Sequence, residues 1–517
     1  MAEKKDDTFA ARLLARYDRL QSERRNLDQI YELISRFCVP GRSGFFRTDN
    51  DTEESVDWRH RELYDSTAVH ACQTLAANIH GSLTSPATRW FNLRFKNEEL
   101  NDNVEASRWI EEAQDKIFYA LTESNLNLEA NELYLDDVSY GTAIMFHGIN
   151  YDGEFKFRTA MTREVYFEED VDGKPMSIYR KRQYTPAQLV DKFGDKVPDD
   201  IRVKAGQPQA ASEKIEVVHA VIRHEDFKKI NASTVLPPER RPYQEYWILV
   251  KGAVILNEKP SGYYDMPAYV LRWGRAAGSK FGYSPAINCL SDILTLNQLV
   301  EFTLKAAEKV IDPPVLSRQR GVIGDLDLYP GGNTVVRDPR DVVPFESGAR
   351  FDVSNIEREK LIETIRQSFF VDQLELKKSP AMTATEVNVR YELMHKLLDP
   401  ALSRMQADFL DPLISRSFWS LYRLKKLPPM PQIVQDNKGE LDVEYVGALA
   451  RWQKMNEVNA TERWLAQLSQ MAAVSEDVLD VVDFEQVARN KAKQMGVPAE
   501  ELRSEEEVKK IRNARDQ

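Results

Sequence analysis

Hydrophobic and polar positions change period several times along this chain, and the changes divide it into stretches of different architecture. Leu13, Leu14, Tyr17 and Leu20 recur at helical spacing, so the first ~35 residues read as an amphipathic helix. A polar, Gly-containing segment follows from Pro40 to about Trp58. Asp65 and Ser66 then offer an N-cap for a helix carrying Val69, Cys72, Leu75, Ile79 and Leu83 on one face, which Pro86 stops. Two further helices are predicted, from about Val104 to Glu123 and from about Leu128 to Val138. From Gly141 to His224 the period shortens toward two. Phe155–Phe157 and Val165–Phe167 alternate, and Asp172-Gly173 between two such runs predicts a hairpin. A short helix over Thr185–Phe193 and strand-like runs at Ile215–Arg223 and Glu245–Leu256 complete a mixed α/β region over about 30–280.

The character changes at Ser284-Pro285, a Ser N-cap with Pro at the first helical position. The helix it opens carries Ile287, Leu290, Leu294 and Leu304 and ends before Pro313-Pro314. Ser284 to Ile311 is then a rod of roughly 40 Å. A Gly/Pro/Asp-rich stretch, Gly321–Pro344, precedes a second helix that opens with the capping box Ser354-x-x-Glu357 and carries Ile362, Ile365 and Phe369. A second capping box, Thr383-x-x-Glu386, starts the longest helix. Val387, Tyr391, Met394, Leu398, Leu402, Met405, Phe409 and Leu413 keep its apolar face, and Pro400 and Pro412 predict kinks. Leu427–Pro431 ends that unit, and the tail from about Val443 to Gln517 reads as helical and heavily charged. The fold class is α+β.

Composition narrows the partners. A chain of 517 residues implies two to four packed units, and 42% hydrophobic with 29% charged residues is a globular balance. Cys38, Cys72 and Cys289 stand far apart, which gives no disulfide framework and suits a reducing compartment. The charged start lacks the apolar core of a secretory signal, and the most apolar stretch, Tyr246–Leu256, is short and broken by Lys251, so no membrane partner is expected. The net charge of −12 argues against a tight grip on phosphates, though not against a surface past which DNA slides.

Candidate chemistry fails on spacing. Gly274-Arg-Ala-Ala-Gly278-Ser279-Lys280 resembles a phosphate loop, but the interval between its glycines is too short and Phe281 follows the Lys; a flexible entry to the Ser284 helix is the plainer reading. His60, His70 and His80 turn to different helical faces, and His70 and Cys72 cannot face one ion from a regular helix. Neither His-Glu-x-x-His nor Gly-x-Ser-x-Gly occurs. Asp136-Asp137, on a charged helix, reads as solvated or capping. No catalytic, cofactor or metal site is expected. Lys377 and Lys378 form a basic pair near a helix C-terminus, and Lys305 and Lys309 share a helical face with Glu301 placed to pair with Lys305. Alone, these are solvated faces; repeated around a ring they become collars of positive charge.

The order of helix, Pro-broken loop, helix, short loop, long kinked helix and charged tail resembles that of phage portal proteins. The resemblance is closer to the short-tailed phage head-to-tail connector family. It rests on Leu63-Tyr-Asp-Ser-Thr67, Leu75-Ala-Ala-Asn-Ile79, Leu83-Thr-Ser-Pro86, Trp90-Phe-Asn-Leu93, Gly282-Tyr-Ser-Pro285, Asp312-Pro-Pro314, Pro330-Gly-Gly332 and Met382-Thr-Ala-Thr-Glu386. These cover residues from about 58 to 425. The resemblance implies a portal fold: an α/β wing at 1–283, stem helices at 284–311 and 351–376, a clip at 312–350, a channel loop at 377–383, a long wing helix at 384–428 and a helical crown and tail at 429–517. It implies a ring, dodecameric in the family, at a capsid vertex, with Lys377, Lys378, Lys305 and Lys309 as DNA-channel candidates. Arg318, Arg320, Asp325 and Asp327 become candidates for docking the terminase large subunit and then the tail adaptor. Major capsid and scaffolding proteins, and double-stranded DNA passing through the channel, complete the implied partners. The location would be the virion, after assembly in the host cytoplasm. Two other readings stay open: an α/β enzyme with an unrecognised site, and a different ring-forming virion protein such as a tail adaptor.

Overall fold

One long helix, α1 (Phe9–Phe37), enters two separate cores with its two halves. The computed structural model describes residues 9–42, 62–86, 89–150, 152–210, 213–224, 236–257, 261–319, 321–327, 333–345, 351–374, 397–436 and 441–445, with parts of 461–491. After α1 come α2 (Thr67–Leu83), β1 (Phe91–Phe95), α3 (Val104–Glu123) and α4 (Leu126–Tyr140). Ten strands follow: β2 (Thr142–Ile149), β3 (Phe155–Ala160), β4 (Val165–Glu169), β5 (Pro175–Tyr184), β6 (Ile215–Arg223), β7 (Tyr243–Leu249), β8 (Val254–Ile255), β9 (Ser261–Tyr263), β10 (Ala268–Arg272) and β11 (Gly274–Arg275). A short helix α5 (Pro186–Phe193) lies between β5 and β6. Then come β12 (Gly282–Tyr283), α6 (Leu290–Ile311), β13 (Val315–Ser317), β14 (Val342–Pro344), α7 (Phe351–Ser368), α8 (Asp411–Arg423) and β15 (Leu441–Tyr445). Both helix and sheet are well represented, as an α+β chain requires.

The largest core joins α2, α3 and α4 to one face of the antiparallel sheet β10-β2-β3 and to the helical segment from Leu398 to Leu421. Alternation along β2 explains the layering: Ala143 and Met145 enter this core, while Ile144 faces Val165, Phe167 and Ile178 of the second sheet. That second sheet is antiparallel, ordered β4-β5-β6-β7-β8, with β9 also on β7. Leu13, Tyr17 and Leu20 of α1 cover one face of it against Tyr179, Val218, Ala220 and Ile248. Burying such rows of apolar side chains is the main stabilising contribution, at about 25 cal/mol per Å². At the far end of the chain β15 pairs with β1, Phe91 opposite Tyr445, and Trp109 Nε1 donates to Pro428 O at 3.1 Å. Residues beyond 428 therefore still contribute to this core. Among the described residues no helix is long and apolar enough to cross a membrane.

Several local expectations need correction. Asp136 and Asp137 are buried, not solvated, because α4 is enclosed by α2 on one side and β2 and β3 on the other. Asp136 lies 3.0 Å from Arg42, and desolvation pushes its carboxyl up to about 6. Burial, followed by the charge of Asp408, drives the Asp137 carboxyl well above the carboxylate range, against the smaller opposing effect of the Trp273 backbone. The helix expected to run unbroken from Ser284 leaves helical geometry at Cys289 (φ −106°, ψ 17°), after one turn, Pro285–Asn288, capped by Ser284. The run Glu245–Leu256 is divided by a turn in which Gly252 (φ +88°) and Ala253 (φ +50°) reverse the chain. Ser354 caps nothing: α7 begins at Phe351, and the Ser354 hydroxyl instead bonds that of Thr303 at 2.7 Å. The irregularity at Pro412 takes the form of a widened π turn over Gln406–Leu410, with the Asp411 N–H reaching Gln406 O. The Thr383–Glu386 capping box lies outside the described residues.

Candidate functional site

The part of the molecule with no core of its own is the hairpin formed by α6, β13, β14 and α7. Thr303 meets Ser354, and Cys289 lies beside Ser368, whose hydroxyl donates to Thr364 O at 2.9 Å. The two contacts are equally spaced along both helices, so α6 and α7 run antiparallel. Their roots enter the main core through Ile293, Leu296, Ile365 and Phe369. Beyond the roots, burial ends: Phe302, Leu304, Val310, Ile311 and Ile356 are exposed.

Three anchors hold the hairpin to the body. Asn297, a polar residue on the apolar face of α6, accepts from the backbone N–H of Tyr64 at 2.7 Å and of Asp65 at 3.3 Å, and donates to Glu62 O at 3.0 Å. Ser284 donates its hydroxyl to Ser139 O at 2.6 Å while accepting from Ile287 N at 3.1 Å, which ties the first helical turn to the end of α4. Gly141 and Gly282 cross here so closely that a Cβ on Gly282 would strike Gly141 O. These contacts give a physical reason for the strings Leu63–Thr67 and Gly282–Pro285: each supplies backbone or a hydroxyl to the root of the hairpin. Sequence reading missed Asn297, whose signal was a polar side chain within the row Ile293, Leu296, Val300.

At the tip, β13 pairs with β14, Leu316 opposite Val343, and Val322 bridges to Val336. Arg318 is tied to Asp341 twice, N–H to Asp341 O at 3.0 Å and guanidinium to carboxylate at 3.4 Å. Asp341 also accepts from Asp338 N at 3.2 Å, and its side chain lies where a Cβ on Gly321 would sit. Arg318 thus closes the hairpin. Asp327 holds Thr334 through its backbone, whereas Asp325 is exposed. From 312 to 345 only Gly321 and Asp341 are buried among the described residues, while Leu316, Ile323, Leu326, Val335, Val343 and Phe345 are exposed. Arg320 lies outside the described residues.

Lys305 and Lys309 both lie on the outer half of α6 and face solvent. Lys305 bonds Glu301, which raises its pKa; Lys309 has no ion-pair partner among the described residues. Lys377 and Lys378 lie outside the described residues. The phosphate-loop look-alike closes on itself: Arg275 Nε donates to Ser279 O at 2.8 Å, and Lys280 pairs with Glu23 at 2.7 Å. His70 is exposed and His80 packs on Tyr134, with burial lowering its pKa; they do not converge. Among the described residues no group of three or more His, Cys, Asp or Glu side chains is arranged to hold a metal ion.

The geometry is that of a body with an apolar-tipped helical hairpin, which points to assembly. Comparison with known proteins agrees. The family model for the bacteriophage head to tail connecting protein matches residues 10–502. A probable portal protein of Bordetella phage BPP-1 is 28% identical over 520 residues, covering 97% of this chain and 90% of that protein. The portal protein of Salmonella phage epsilon15 is 23% identical over 525 residues, covering 98% and 91%. A family match over nearly the whole chain accounts for the hairpin and the body together, and the chain belongs to the bacteriophage head to tail connecting protein family.

Proposed function

We propose that this chain is the subunit of a phage portal, a homo-oligomeric ring of about a dozen copies at the capsid vertex through which DNA is packaged and ejected. It is a structural connector and not an enzyme. The observation that carries the ring is the bare hairpin. A tip that buries only Gly321 and Asp341 among its described residues, and exposes six large apolar side chains, is unfavourable in water unless neighbouring copies cover it. A repeated head-to-tail contact of one hairpin with the next closes into a ring. In this reading the body is the wing, α6 and α7 are the stem, the β13–β14 tip is the clip and residues after about 445 form the crown. The clip, with Arg320, Asp325 and Asp327 on offer, docks the terminase large subunit during packaging and the tail adaptor afterwards. Major capsid and scaffolding proteins surround the wing.

The charge supports a conduit. A ring multiplies the net −12 of each chain, so its wall repels phosphates and lets DNA slide. Lys305, Lys309, Lys377 and Lys378 then act as weak, transient contacts. The test is direct. Purified protein gives rings with an axial channel in negative-stain images, and Leu316→Asp with Phe345→Asp, both at exposed positions, lowers the ring fraction without changing the circular dichroism spectrum. Monomers at every salt concentration overturn the reading. Lys377→Ala with Lys378→Ala leaves rings intact and lowers the DNA content of particles; unchanged DNA content removes that pair from the channel.

A further inference from the structure

We propose that a slot on the second sheet binds a small oxyanion of the phosphate class, held by Arg180 and Arg182 beside His219. The site does not depend on the ring reading. It lies on the face opposite α1, between two apolar clusters that leave a gap: Ile144, Phe167 and Ile178 on one side, Leu189, Val217 and Leu249 on the other. The gap is a cavity of about 190 Å³ lined by Phe146, Arg180, Arg182, His219, Trp247 and Tyr263, among others. Strand geometry puts the cations together. Arg180 and Arg182 are two apart on β5 and share a face; Arg180 stands opposite His219, and His219 opposite Trp247.

The walls fix these groups firmly. Arg180 is 6% exposed, bonds Glu164 at 3.1 Å and lies 5.2 Å from the Phe146 ring centre. His219 Nε2 meets Glu245 at 2.7 Å, and its ring stacks on Trp247 at 4.1 Å. Lys192 of α5 sits 3.3 Å above the Trp247 ring. Arg182 has no carboxylate partner among the described residues, and Arg158 adds a further cation close enough to act on Arg180. Against these stand two carboxylates among the described residues, Glu164 and Glu245. In a chain of net −12 this is a local excess of desolvated positive charge. Burial lowers the pKa of Arg180, Lys192 and His219 even though Glu164 and Glu245 act in the opposite direction.

Size selects the ligand. The cavity falls below the roughly 300 Å³ at which pockets for drug-sized molecules begin, so it takes an ion of a few heavy atoms. A tetrahedral oxyanion matches a guanidinium fork at Arg182 and the terminal nitrogen of Arg180 that the Glu164 contacts through Nε and Nη2 leave over. The anion is free phosphate or a phosphodiester presented by a strand end, and the experiment separates them.

Sodium phosphate is titrated against the full chain, with sodium chloride of equal ionic strength as reference, and the melting temperature and calorimetric heat are followed. Wild type gives a saturable response to phosphate. Arg182→Ala weakens it by at least about tenfold, and Arg182→Lys falls between, because a point charge replaces the fork. Lys181→Ala, on the other face and paired with Glu216, binds as wild type does. A single-stranded oligonucleotide that displaces phosphate only when Arg182 is present assigns the slot to a nucleic-acid phosphate; one that does not displace it assigns the slot to the free anion. Phosphate acting no better than chloride, or Arg182→Ala and Arg182→Lys both binding unchanged, overturns the proposal.

Discussion

Replacing Arg24 by Met removes a buried side chain that locks the long N-terminal helix onto the start of β4. Arg24 is 1% exposed, yet every edge of its guanidinium is used. Nε donates to Asp28 at 2.7 Å, one terminal nitrogen to Thr162 O at 2.6 Å and Val165 O at 2.7 Å, and the other to Arg163 O at 2.8 Å. The plane also stacks 3.9 Å from the centre of the Tyr166 ring. Met fills the volume but leaves Asp28 unpaired and strips three carbonyls of a donor. Breaking a buried pair on one side costs about 3–5 kcal/mol, and much of that is the uncompensated partner. Arg24→Lys does not restore the loss, since one ammonium cannot span a carboxylate and three carbonyls. Urea denaturation followed by tryptophan fluorescence gives the stability change. Hydrogen exchange read on peptides from α1 and from 160–170 shows whether the helix and the β4 entry loosen together. A Met variant within ~1 kcal/mol of wild type, with exchange unchanged in both peptides, refutes the reasoning.

Two more outcomes follow from buried groups. The folded-state pKa of Asp136 is raised from 3.8 to about 6 by desolvation, so folded and unfolded chains are equally protonated only below about pH 4. As pH rises through 6 the unfolded chain ionises first, and about 3 kcal/mol of stability is lost before the curve levels. Asp136→Asn, which cannot ionise, is therefore stabilised relative to wild type by an amount that grows from pH 4 to about 6 and is constant above it; parallel urea-midpoint curves for the two proteins count against this. Gly141→Ala places a Cβ on a residue at φ +75°, 2.7–2.8 Å from the backbone of Tyr283 and Ser284. An expected loss of about 2–4 kcal/mol shows as a lower melting temperature, and an unchanged melt means the crossing at Gly282 is loose.

What the sequence determined by itself was local. Val104–Glu123 reads as a helix because Trp109, Ile110, Ala113, Ile117 and Leu121 follow its period, and these are the residues it buries. Ile215–Arg223 reads as a strand from its β-branched run, and Asp172-Gly173 turns the chain at φ +77° where only a glycine is unstrained. The absence of catalytic motifs was equally legible, because those motifs need fixed short spacings. What only the tertiary structure decided was pairing across distance. β1 and β15 meet from opposite ends of the chain, and nothing in Phe91–Phe95 names Leu441–Tyr445 as its partner. Asp136 and Asp137 look like solvated charges until α2 and two strands close over them. Arg24 looks like one of many charges on a helix, and Arg180, Arg182 and His219 like unrelated residues. Side-chain period is set by neighbours a few residues away, whereas burial and charge balance are set by whatever the fold brings alongside.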